Sequence, residues 1–389
     1  MKKILALLIL SLAVPSGIAA LAAAARAAVE EQPRSVRVGV VVDAPRLVLS
    51  VRGRFEVRDA KRGDLLFADQ NLPETTVTTD GKAIFLGNEM LPGRKIRILP
   101  QKDAAITINK RRFRGNMQLI GGNKGLLTAV NEIELEDYVK GVLYHEISHR
   151  WPLEAIKAQA VATRTYAVFR MESSKRADYD MTSDIYSQVY GGKTSEKYRT
   201  TMAVNRTKGL VLVYGSQILP AYFHATCGGH TEDASELWEH DMLPLKGVPC
   251  IYCQKSPHYS WKKNFRSKDV QDKLNASGYH LGLIKDIEVV ERNVSGRIRK
   301  LAITTRDGKV AHISGKDFRN IIGPNEVRSN NYEVQMQGYY FDLVGKGWGH
   351  GVGLCQWGAY ELARQHKTFE HILQYYYPGA DVVDLRDAE

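Results

Sequence analysis

Glu146 ends a mostly apolar stripe. Leu135, Tyr138, Val139, Val142 and Leu143 precede it at helical spacing, which predicts one helix face. A carboxyl group among apolar side chains keeps its proton to a higher pH than a solvated one. A proton donor active near neutral pH is what general acid catalysis requires. The neighbouring acids Glu154 and Glu172 fall at helix positions that read as solvated or capping. A second helix follows, with Pro152 suited to its first turn. It is rich in Ala and apolar nearly all round, so burial is expected. It nevertheless carries Gln159, Arg164 and Tyr166, polar groups that need partners once buried. Two readings of these residues stand: an active-site acid beside a buried arginine, and a structural Glu146–Arg164 ion pair.

Two glycine-rich stretches come later. His224-Ala-Thr-Cys-Gly-Gly-His-Thr-Glu232 places Gly228 and Gly229 between polar residues, where a backbone can approach a substrate or simply turn. Gly347, Gly349, Gly351 and Gly353 alternate with Trp348 and His350, and Gln356 follows. That loop lacks the strand–helix context of a nucleotide-binding fingerprint. Trp348 and Trp357 suit either sugar stacking or a core. His145-Glu-Ile-Ser-His149 fits His-Glu-x-x-His formally. Pro152 follows within a turn, and a zinc pair of that kind needs a continuous helix.

The four cysteines are Cys227, Cys250, Cys253 and Cys355, with His224, His230 and His258 near the first three. Three Cys and one His at such spacing suit zinc. Disulfides are the rival in an oxidising compartment, with three full pairings open. For zinc, the expected set is Cys227, Cys250, Cys253 and His258, because His258 follows Cys253 closely, with His230 second. One structural ion is the only cofactor expected.

Three segments in order carry a family resemblance: Tyr138–Tyr166, His224–Glu232 and Gly347–Ala359. They are similar to the motifs of the stage II sporulation protein D (SpoIID) family, which includes the LytB amidase enhancers. The likeness covers roughly residues 36–380. Ser187-Gln188-x-Tyr190 resembles the family's Ser-Gln-x-Tyr or Cys-Gln-x-Tyr loop. Members understood as enzymes are lytic transglycosylases that cut peptidoglycan, and the family's catalytic Glu falls on Glu146. The resemblance implies substrate contacts from Gln159, Arg164, Tyr166, Ser187, Gln188, Tyr190, His224, Thr226, Gly228, Gly229, His350 and Gln356. On polarity alone, Ser187, Gln188 and Tyr190 equally suit a hydrogen-bonded loop. Some members hold zinc just before Gln-x-Tyr through Cys and His. Met181, Tyr186 and Ser187 stand here instead and cannot do so.

The elements that must position these residues give an α+β fold. Residues 36–130 alternate apolar and polar, as in Val36–Val42 and Leu47–Val51, with Asp80-Gly81 as a hairpin signal. A sheet-rich N-terminal part is therefore expected. Residues 131–380 form the catalytic core, with the helical pair carrying Glu146. Residues 262–335 read as an inserted small α/β subdomain, with helices at Ser267–Ala276 and Ser314–Ile322 and strands at Ile284–Glu291 and Ile298–Thr305.

Residues 1–28 read as a targeting segment. Lys2-Lys3 precede an apolar run, Pro15-Ser16-Gly17 interrupt it, and Ala25-Arg-Ala27-Ala28 ends it as a signal peptidase site would. An uncleaved anchor is the alternative. Export to the periplasm or cell envelope is expected. Without Lys2, Lys3 and Arg26 the formal charge of +11 falls by three to +8. A basic chain suits an anionic polymer. Zinc-finger, helix-turn-helix and RNA-binding signatures are lacking, which makes nucleic acid the weakest partner class.

The function expected is cleavage of peptidoglycan glycan strands to 1,6-anhydro ends, with Glu146 as acid and base. The alternative is a non-catalytic wall-binding module that enhances a separate amidase. Glycan strands are the expected partner in both, and an amidase or another wall enzyme in the second.

Overall fold

The computed structural model describes residues 34–176, 178–184 and 188–388, and Ser35–Glu389 form one compact unit. The leader and Ser187 lie outside the described residues. Among those described, no helix is long and apolar enough to cross a membrane.

The N-terminal part is an eleven-stranded sheet. Its strands alternate as the sequence does: Leu47, Leu49, Val51, Phe55 and Val57 of strand Leu47–Asp59 all face the core. The expected hairpin forms at Asp80-Gly81. Asp80 Oδ1 accepts from the backbone N–H groups of Lys82 and Ala83, and Gly81 takes φ 87°. Strand Ser35–Ala44 pairs antiparallel with Leu127–Glu134 and parallel with the short strand Met181–Thr182.

Strand Leu127–Glu134 runs straight into helix α1, Leu135–Glu146. The sheet therefore sets the direction of the helix that ends in Glu146. Ile147 turns extended (φ −144°, ψ 145°), and α2 spans Leu153–Ser173 with Pro152 as its N-cap, one place earlier than expected. Thirteen residues of α2, from Ala155 to Val168, are buried. It is the central helix, in contact with α1, with α3 (Tyr198–Arg206) and with strand Leu210–Tyr214.

Helices α4 (Ser267–Ala276) and α5 (Gly315–Ile322) belong to the region between the two glycine-rich motifs. Ser314 caps α5 by accepting from the Asp317 N–H at 2.9 Å. Apolar residues of this stretch join Trp261, Phe341 and Leu343 in a second hydrophobic core, separate from the main one. The chain returns through strand Tyr340–Lys346 to the second glycine loop, then α6 (Gln356–Arg364) and α7 (Phe369–Tyr376). Both α6 and α7 pack on α2. The mixture of a large sheet with seven described helices is the α+β class expected.

Candidate functional site

Glu146 occupies the last turn of α1, behind the buried Tyr138, Val139, Val142 and Leu143. It keeps some solvent contact, yet protein encloses most of it. Burial raises its pKa to about 7, against the lowering pull of the Val189 N–H, which donates to Oε1 at 3.3 Å. Among the described residues no basic side chain is ion-paired with it. A carboxylic acid in this setting can hold a proton at neutral pH and release it to an oxygen placed against it.

The arginine expected beside it goes elsewhere. Arg164 is fully buried, and its Nε and Nη2 each donate to Glu136 at 2.8 Å; Nη1 donates to the Leu210 carbonyl at 3.0 Å. It is neither a partner of Glu146 nor open to a substrate. A bidentate carboxylate satisfies the fork of a buried guanidinium better than a sugar hydroxyl does.

Gln188 and Tyr190 also belong to the interior. Gln188 Oε1 accepts from the Tyr138 hydroxyl at 2.9 Å, and the Tyr190 hydroxyl donates to Asn131 Oδ1 at 2.8 Å. Tyr190 is fully buried, between the rings of Phe113 and Tyr138. Both fasten the loop whose Val189 N–H reaches Glu146. Met181, in the place of a family metal ligand, puts its sulfur 2.9 Å from the Tyr138 hydroxyl.

Gln159 and Gln356 meet in the interior. Gln356 Nε2 donates to Gln159 Oε1 at 3.2 Å, and Gln159 Nε2 donates to Thr163 Oγ1 at 3.2 Å. Tyr166 lies ring to ring with Tyr222, centroids 5.8 Å apart.

The two glycine motifs form a single unit. Phe223–His224 pairs in parallel with Leu354–Cys355, and Thr226 bridges to Trp348. Gly228 has φ 81°, and a Cβ there would meet the Lys346 carbonyl carbon at 2.9 Å, so only glycine allows the loops this close. His224 is buried: Nδ1 lies 3.0 Å from the Val352 carbonyl, while Nε2 has no protein partner. His350 stands 5.6 Å from it ring to ring. Burial, with Arg319 and Arg297 adding, pulls the His350 pKa down to about 3. Neutral imidazoles are the result, suited to hydrogen bonding. Thr226 Oγ1 is occupied by Ser256 Oγ at 2.8 Å.

Glu232, the other carboxylate near these loops, is 2 % exposed. Its Oε2 accepts from Asn293 Nδ2 at 2.8 Å and Ser295 Oγ at 3.1 Å, and its Oε1 accepts from the Asp233 N–H at 2.9 Å. Both of its oxygens are engaged by donors of the fold.

Trp357, one of the two tryptophans suited to sugar stacking or a core, joins a small aromatic cluster whose other members, Trp151 and Tyr360, the stacking reading did not include. Trp151, just beyond Glu146, stands 4.9 Å from both Trp357 and Tyr360, and all three are half-buried. Such faces can stack on sugar rings. The i, i+3 spacing of Trp357 and Tyr360 was the available signal. Trp348 is engaged otherwise, by Arg328 over its ring and His258 against its edge. The formal His-Glu-x-x-His string makes no helical pair, because α1 stops at Glu146. His145 Nε2 lies 2.6 Å from Ser195 Oγ.

The cysteines regroup. Cys227, Cys250 and Cys253 gather as expected, but the fourth member is Cys355. His258, the expected fourth ligand, is outside the group. Its ring sits edge-on to Trp348 with centroids 4.6 Å apart, because the chain turns away after Cys253 through Ser256 and Pro257. His230 faces its own neighbour, with Nδ1 2.6 Å from the Thr231 carbonyl.

Comparison with known proteins places these features in a group. Residues 123–214 match the family described as stage II sporulation protein, and residues 251–353 match a domain of unknown function. The chain is 33% identical over 269 residues to the stage II sporulation protein D of Bacillus subtilis, covering 65% of this chain and 76% of that one. It is 33% identical over 347 residues to an uncharacterized protein of Brachyspira hyodysenteriae, covering 88% and 91%. It is 28% identical over 291 residues to the amidase enhancer of Bacillus subtilis, covering 62% of this chain and 39% of that protein.

Proposed function

The chain belongs to the stage II sporulation protein D family, and from that premise we propose that it is a lytic transglycosylase cutting the glycan strands of peptidoglycan at the cell envelope. The observation that carries this is Glu146: a mostly enclosed carboxyl group with a pKa near 7 and, among the described residues, no ion-paired cation. Hydrolases that retain or invert use two carboxyl groups about 5–9.5 Å apart. Glu232, the carboxylate that ends the first glycine motif, spends both oxygens on structural donors.

Glu146 gives its proton to the glycosidic oxygen as the bond from that oxygen to the sugar's anomeric carbon breaks. The resulting carboxylate, held by the Val189 N–H, then accepts the proton of the same sugar's 6-hydroxyl as that oxygen bonds to the anomeric carbon. The proton returns to Glu146 and no water is consumed. The 6-hydroxyl is already beside the reacting carbon, which gives it a large entropic advantage over free water. His350 and the aromatic faces of Trp151, Trp357 and Tyr360 offer groups of the kind that hold sugar units.

The test is the mass of the products from purified glycan strands. Transglycosylation leaves 1,6-anhydro ends and adds no water; hydrolysis adds one water per cut. The similarity to an amidase enhancer favours a second reading, a wall-binding module that stimulates a separate amidase. Strand binding without any anhydro product, together with amidase stimulation, would support that reading instead.

A further inference from the structure

Three separate stretches of chain bring four sulfurs to one point. Cys227 follows strand Phe223–His224, Cys250 and Cys253 lie on one loop, and Cys355 ends strand Leu354–Cys355. We propose that Cys227, Cys250, Cys253 and Cys355 bind one zinc ion as a tetrahedral tetrathiolate, clamping the two glycine motifs together. The proposal does not depend on the chemistry at Glu146.

The spacing fits that ion. Four zinc–sulfur bonds of about 2.3 Å hold the sulfurs about 3.8 Å apart. Here Cys227 Sγ and Cys253 Sγ are 3.4 Å apart, and all four sulfurs lie within 4.8 Å of one another. All four cysteines are 0% exposed, and among the described residues no carboxylate or imidazole belongs to the group. Soft sulfur donors select zinc over magnesium, calcium and manganese.

The surroundings suit thiolates. The Cys227 N–H donates to Cys355 Sγ at 3.3 Å, and the Tyr376 hydroxyl lies 3.2 Å from Cys250 Sγ. Metal-bound thiolates commonly need such outer donors. A tetrathiolate zinc carries a net charge of −2, and a buried cation stands close by. Arg297 is 2% exposed and donates through Nη2 to the Cys227 carbonyl at 2.7 Å and through Nη1 to the His230 carbonyl at 2.9 Å.

Two disulfides are the competing use of four cysteines. Each would divide the group into pairs bonded at about 2.05 Å. The arrangement is instead mutual, every sulfur being near the other three. Its consequence for the site is direct. Cys355 is paired in register with His224 and adjoins Gln356, so the ion would fix both relative to α2.

The test is metal and thiol content of the full-length protein, purified without added metal. Expected are about one zinc per chain and four titratable thiols after denaturation with a chelator. A mercurial reagent should release that zinc in proportion to thiols modified, and cobalt substitution should give the charge-transfer and visible bands of a tetrahedral thiolate site. Cys355→Ser should lower bound zinc at least tenfold, whereas His258→Ala should keep it all. The mercurial and cobalt measurements use the unmutated protein, so misfolding of Cys355→Ser leaves the proposal testable. Bound iron in place of zinc, metal-free protein lighter by two hydrogens per disulfide, or zinc lost with His258→Ala and kept with Cys355→Ser would overturn it. None of these outcomes bears on whether glycan is cut.

Discussion

Arg164 binds Glu136 and leaves Glu146 alone, although both acids lie on α1. Ten residues of helix separate them by about 15 Å. Glu136 also accepts from the Gly209 N–H at 3.1 Å, so the first turn of α1 is tied to α2 and to the chain entering strand Leu210–Tyr214. A guanidinium beside Glu146 would have pulled its pKa down and disarmed it as an acid. One ion pair thus anchors the first turn of α1, while Glu146 at its other end has no ion-paired cation among the described residues.

Breaking that pair should damage the fold. Glu136→Gln strands a buried guanidinium, and losses of about 3–5 kcal/mol are typical when one partner of a buried pair is removed. Denaturant unfolding measures it. A variant of full stability that binds glycan poorly would mean that Arg164 serves the substrate.

Glu146→Gln keeps the shape of the side chain and removes its proton. Strand cleavage should fall by at least about 10²–10⁴-fold while binding to glycan holds, because positioned proton transfer contributes on that scale. Release of anhydro products measures the first and co-sedimentation with strands the second. Near-wild-type cleavage would exclude Glu146 as the acid.

The raised pKa has a signed consequence for stability. The folded protein holds the Glu146 proton up to about pH 7, while an unfolded carboxyl group loses it near its ordinary value of 4.5. The stabilisation is therefore full below about pH 4.5 and is lost as pH rises through about 7. Glu146→Gln lacks this loss. Its stability relative to the wild type should climb between those values by up to about 3 kcal/mol, and then level off. Paired unfolding curves at several pH values measure it. Cleavage efficiency should also fall as pH rises through about 7, when the free enzyme loses its acid.

Gly141→Ala sets two effects against each other. Alanine is favoured over glycine inside a helix by about 1 kcal/mol. The added methyl would stand 2.4 Å from Cε2 of Tyr190, a fully buried ring tethered to Asn131. Overpacking of that kind costs about 1–3 kcal/mol, and the ring has nowhere to go. A lower melting temperature and weakened cleavage are expected, since the same loop carries Val189. A more stable variant would show that Tyr190 gives way.

Periodicity within short windows was enough to read the alternating strands, both central helices and the apolar stripe behind Glu146. Those features depend on which residues are neighbours along the chain, and 3.6- and 2-residue repeats record that directly. The partners of buried polar groups were not legible. Arg164 takes Glu136, 28 residues away, where the sequence offered Glu146 as readily. Gln188 and Tyr190 turn inward because Tyr138 and Asn131 are there to receive them, a choice made by packing. Cys355 displaces His258 from the cysteine group because the parallel pairing of Phe223–His224 with Leu354–Cys355 carries it there across 128 residues from Cys227. Local pattern decides what a segment becomes. Which distant groups satisfy one another is decided only when the segments pack, because burial forces every polar atom to find a partner among whatever the fold has brought close.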